Sequence, residues 1–140
     1  MAFAMGKWMS AFGPDDKLTK DEVWPSPLLS AFHALPLSRQ HEFPFLARLR
    51  FGSPDYVNEA LVLEGPAVAC TLTELRRLRR ICRGEDVVAG IDGRVVFDSW
   101  RVRDAFGEQY DPIEMDESLD DIEGVLSRAV EYGWSIKIDL

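Results

Sequence analysis

A chain of 140 residues can form one compact domain that buries about two-thirds of its unfolded surface, so it needs neither a disulfide framework nor a structural metal. With 46% hydrophobic and 11% aromatic residues it lies far from a disordered composition, and no run reaches the roughly 18 apolar residues of a membrane span. The net charge of −8 argues against nonspecific binding to nucleic acid or to an anionic membrane, and it permits a basic protein partner.

Met1 to Phe12 is apolar, but no charged region precedes it, Lys7 interrupts it and no small-residue cleavage site follows. It reads as an ordinary terminus rather than a signal peptide. Seven of the eight prolines precede residue 67. Residues 1–44 are therefore expected to form an irregular wrap anchored by Trp8, Phe12, Trp24 and Phe32, with one short helix over Pro27–Leu35 capped by Ser26.

Residues 45–140 read as an α+β core in the same single domain. Phe45, Ala47, Leu49 and Phe51 alternate with Leu46, Arg48 and Arg50, the pattern of a half-buried strand. A turn over Gly52-Ser53-Pro54-Asp55 leads into a second alternating run, Val57 to Leu63. Thr71 and Glu74 have capping-box spacing, and Leu72, Leu75, Leu78 and Cys82 follow at helical spacing to a C-terminal Gly84. The outer side of that helix is expected to carry Arg76, Arg77, Arg79, Arg80 and Arg83. Asp92-Gly93, between Val87–Ile91 and Arg94–Trp100, signals a hairpin with a type I′ turn. A second helix, capped by Asp116 or Ser118, carries Leu119, Ile122, Leu126, Ala129 and Val130 and ends at Gly133. A last strand sets Trp134, Ile136, Ile138 and Leu140 on one face. The order ββαββαβ predicts a mainly antiparallel sheet with helices packed on one face.

The charge is divided. Residues 1–103 sum to +1, residues 104–140 to −9. Between Asp104 and Glu123 stand nine acids and no Lys or Arg. Some of these suit a helix start, where the macrodipole favours negative charge, and others can pair with the arginine-rich helix. They also suit a surface that steers a basic partner. The candidate partner-binding residues are Trp100, Asp104, Phe106, Glu108, Tyr110, Asp111, Glu114, Asp116, Glu117, Asp120 and Asp121, with Trp100, Phe106 and Tyr110 as the buried anchors. The acids lack the spacing of a calcium loop.

Catalytic motifs are missing from the sequence. His33 and His41 are eight residues apart across Pro36, with no HExxH, nucleophile elbow or phosphate-binding glycine loop. Cys70 and Cys82 do not form a CxxC pair and suit a reducing cytosol; Cys70, placed just before the expected helix start, is the better thiolate candidate. No cofactor or metal is implied. By size, charge and fold class, the expectation is a non-enzymatic cytoplasmic inhibitor of the immunity type that covers a bacterial toxin's active site. A secretion chaperone and a small-ligand binder or enzyme without a recognisable motif are the alternatives, and monomer and homodimer both stay open.

Overall fold

The computed structural model describes residues 8–13, 19–35, 37–50, 52–83 and 112–139. In chain order these form β1 (Trp8–Phe12), β2 (Thr19–Val23), α1 (Ser26–Ala34), α2 (Leu37–Gln40), α3 (Pro44–Arg48), β3 (Ala60–Leu63), α4 (Pro66–Cys82), α5 (Pro112–Tyr132) and β4 (Ser135–Asp139). The strands make one antiparallel sheet in the order β2-β1-β4-β3. The architecture is α+β, with the helices on one face of the sheet.

Register explains the core. Met9, Ile138 and Leu61 stand in one row across β1, β4 and β3, and Ala11, Ile136 and Leu63 in the next. All six are buried, because period-two alternation turns them toward the helices. From above, α5 contributes Met115, Leu119, Ile122, Leu126 and Ala129 at alternating steps of four and three, the stripe that an amphipathic helix buries. From α4 come Val68, Leu72, Leu75, Leu78 and Ile81.

Several sequence expectations are corrected. The N-terminal segment is no irregular wrap: β1 and β2 pair within it, and β1 is one of the two central strands. Trp8 and Trp24 are 36% and 47% exposed and meet each other edge-on at 5.7 Å instead of anchoring the core, whereas Phe32 is buried. The expected strand Phe45–Phe51 is largely the short helix α3. Phe43, Leu46 and Leu49 are buried at helical spacing, Pro44 sits at the first helical position, and Glu74 reaches across from α4 to accept the N–H groups of Phe45 and Leu46 at 3.0 Å. Glu74 therefore caps α3 rather than its own helix. The partner assigned to it, Thr71, is fully buried inside α4 and donates its hydroxyl to Ala67 O at 2.7 Å. α4 itself begins at Pro66, after Gly65.

The second expected strand shortens to β3. Asn58 and Glu59 have φ of 53° and 66°, and Val57 and Ala60 exchange both backbone hydrogen bonds, so 57–60 is a type I′ turn. Pro25, not Ser26, occupies the N-cap of α1, and Asp116 and Ser118 lie inside α5 rather than capping it. At the other end of α5, Gly133 has φ +70° and Trp134 N donates to Ala129 O at 2.8 Å, a Schellman closure that turns the chain into β4. The expected hairpin over 87–100, the helix end at Gly84 and Leu140 fall outside the described residues.

Candidate functional site

The acids of α5 divide between two sides of the helix. α4 and α5 run antiparallel, so Arg83 lies opposite Asp116, Arg79 opposite Asp120 and Arg76 opposite Glu123. The spacing explains the match: 76, 79 and 83 form one ridge of α4, and 116, 120 and 123 one ridge of α5. Arg83 donates from Nε and Nη2 to the two oxygens of Asp116, both at 2.9 Å. Arg79 donates from Nη1 to Asp120 and Glu123 at 3.0 Å each, and from Nη2 to Asp116 at 3.4 Å. Its side chain is 8% exposed. Arg79 is thus not on the outer side of α4, where the sequence placed it, but buried between the helices. Burial works against its charge, and the Glu123 hydrogen bond with the Asp116 field more than offsets that, so its pKa is raised. The Arg83 hydrogen bonds hold the Asp116 carboxyl below the usual range, against the opposing effect of burial.

The other side of α5 faces outward. Ile113, Glu114, Glu117 and Asp121 are exposed there. Next to them, α5 and the edge strand β2 enclose a groove of about 340 Å³ lined by Asp21, Glu22, Val23, Asp120, Asp121, Gly124, Val125 and Arg128. Arg128 Nε donates to Asp21 at 2.6 Å, pairing two of the residues that line the groove. Asp120 belongs to both features: it bonds Arg79, yet 69% of its side chain stays open. A Cβ at residue 124 would sit 3.3 Å from the mobile end of the Arg128 side chain, a contact that a small shift of the guanidinium would relieve.

Of the candidate partner-binding residues, Glu114, Asp116, Glu117, Asp120 and Asp121 lie on α5. The structure brings Glu117 and Asp121 to the outward side and turns Asp116 to α4. Trp100, Asp104, Phe106, Glu108, Tyr110 and Asp111 lie outside the described residues. Sequence reasoning missed Asp21 and Glu22. No local signal marks them: in Thr-Lys-Asp-Glu-Val only Val23 is apolar.

The other reactive side chains are dispersed. Cys70 lies in the second turn of α4, not before its start, so the proposed help from the first free N–H groups does not reach it. Cys82 is on the same helix, about 18 Å along its axis, too far for a disulfide. Burial pushes the Cys82 thiol well up, with Asp116 adding to the shift. His33 is on α1 with its pKa lowered, first by burial and then by Arg50. Burial raises the Glu74 carboxyl, opposed by the Leu46 and Phe45 amides. Among the described residues no group of three or more His, Cys, Asp or Glu is placed to hold a metal ion, and no helix is long and apolar enough to cross a membrane.

Together these features define an α+β protein whose 21-residue helix braces itself on arginines along one side and displays carboxylates along the other. No family model, no curated protein and no solved structure matches the chain.

Proposed function

We propose that the chain is a non-enzymatic protein-binding module of the immunity type, one that neutralises a bacterial toxin in the cytosol by covering its basic active site. The observation that carries this reading is the outward acidic groove between α5 and β2. Glu22, Asp120 and Asp121 line it exposed and Glu117 is exposed on the same helix; the lining cation, Arg128, is paired with Asp21, and Arg79 and Arg83 are engaged on the α4 side of α5. An acidic cleft beside a low-dielectric wall focuses potential and accelerates association with a basic surface. Trp100, Phe106 and Tyr110 belong to the same proposal as anchors that supply affinity once the partner is steered in.

The test is association kinetics with the product of the neighbouring open reading frame, followed from about 50 to about 500 mM salt. Association is expected to slow steeply with salt. The combined Glu22→Lys, Glu117→Lys and Asp121→Lys substitutions should reduce it by about tenfold or more. Salt-independent association, or unchanged affinity in the triple variant, would overturn the steering mechanism. Unchanged affinity after alanine replacement of Trp100, Phe106 and Tyr110 would remove the anchors.

A further inference from the structure

A different depression, of about 460 Å³, lies between α1, α2 and α3 and shares no residue with the acidic groove. Phe32, 1% exposed, and Ala47 make its floor; Leu37, 76% exposed, and Pro44 stand at its rim. The polar lining is Gln40, His41 and Arg50, with no carboxylate. In a chain with 24 acidic against 16 basic residues that composition is unusual. Gln40 is already committed, donating from Nε2 to Leu35 O at 2.9 Å and tying α2 to the end of α1. Arg50 is not. One of its nitrogens donates to Ala47 O, and no carboxylate among the described residues pairs with it. Arg39, Arg48, Arg79 and Arg128, by contrast, each face one. The charge of Arg50 is felt locally, because it helps burial to lower the pKa of His33.

We propose that this groove binds a small carboxylate with an apolar body, its anionic end on Arg50 and its hydrocarbon over Phe32, Ala47 and Leu37. The guanidinium fork matches a carboxylate geometrically, and its weak hydration lowers the cost of stripping water from the pair. The volume falls within the range of small-molecule sites, about 300–1,000 Å³, and mostly apolar walls with a few polar groups are what such sites present. His41 adds a donor at the mouth. The site is independent of the proposed partner surface, so either can fail without the other.

The experiment is a titration of the full chain with octanoate, followed by amide chemical shifts, alongside octan-1-ol and octylamine as neutral and cationic counterparts. Octanoate should give saturable shifts confined to α1, α2 and α3, octan-1-ol should bind about fivefold more weakly or worse, and octylamine should not bind. Arg50→Gln should weaken octanoate about tenfold. Leu37→Ser, at an exposed position that the fold does not need, should weaken both octanoate and octan-1-ol. Shifts that are diffuse or do not saturate, equal binding of octanoate and octan-1-ol, or unaltered octanoate affinity in either variant would overturn the proposal.

Discussion

Arg79 is a buried cation held by three carboxylates, and it shows what a single residue contributes here. Replacing it with Met roughly keeps the volume but removes the cation that Asp116, Asp120 and Glu123 share, leaving Arg83 on Asp116, Arg76 on Glu123 and Asp120 without its arginine. We expect a loss of about 2–3 kcal/mol near neutral pH, read from urea midpoints. The deficit relative to the parent should shrink as the pH is lowered and these carboxylates take up protons. The parent should show the opposite dependence. The folded pKa of Asp116 lies below its unfolded value. Its contribution is therefore fully present above the ordinary carboxylate pKa and is lost as pH falls through the folded one. Asp116→Asn should flatten that acid limb, seen in stability measured from pH 7 downward. Glu74 works differently, as an acceptor for another helix's orphan N–H groups. Glu74→Ala should cost about 1–2 kcal/mol, and Glu74→Gln, which keeps one acceptor oxygen, should cost less.

At the scale of elements, the apolar stripe and the end of α5, and the whole of β4, were legible in the sequence, because each has a single period and Gly133 separates them, whereas α5 starts at Pro112, ahead of the expected caps Asp116 and Ser118. Gly133→Ala should cost about 1 kcal/mol in thermal or urea unfolding, since the left-handed conformation at φ +70° penalises a Cβ. α4 was legible in its apolar stripe but not at its start, where Thr71-Leu72-Thr73-Glu74 imitates a capping box. Glu74 has the right spacing and a different client, a tertiary fact that no local pattern holds. α3 was misread because its apolar residues are so dense that period two and helical spacing both fit. Pro44 and the reach of Glu74 decide between them. β1, Trp-Met-Ser-Ala-Phe, was missed because its apolar residues do not alternate, and β2 for the opposite reason to α3. Thr-Lys-Asp-Glu-Val is an edge strand with almost no apolar signal, and its existence depends on β1 beside it. The acidic surface was legible as composition only. The sequence left pairing with the arginine helix and a partner-steering surface as alternatives; α5 pairs Asp116, Asp120 and Glu123 with arginines and leaves Glu117 and Asp121 exposed.

For the whole molecule, the net charge of −8 is an average over opposed local balances: a braced interface of arginines and acids, an acidic groove and a small cationic one. The sheet unites them. Ile138 stands between Met9 and Leu61 at the centre of the four strands. Truncating it to Ala should cost about 2–5 kcal/mol and lower the denaturation midpoint without altering the slope, provided unfolding stays two-state. The strand order carries one more consequence, for how the molecule is made. β4 inserts between β1 and β3, yet of the described strands it leaves the ribosome last. Until it arrives, β1 has only β2 beside it, and the apolar rows of β1 and β3 have no shared neighbour. The newborn chain must therefore hold Met9, Ala11, Leu61 and Leu63 in waiting through the synthesis of everything between. Its vulnerable interval is the time the ribosome spends reaching residue 139, at about 5–20 residues per second. Slow codons late in the message would lengthen that exposure without changing a single amino acid.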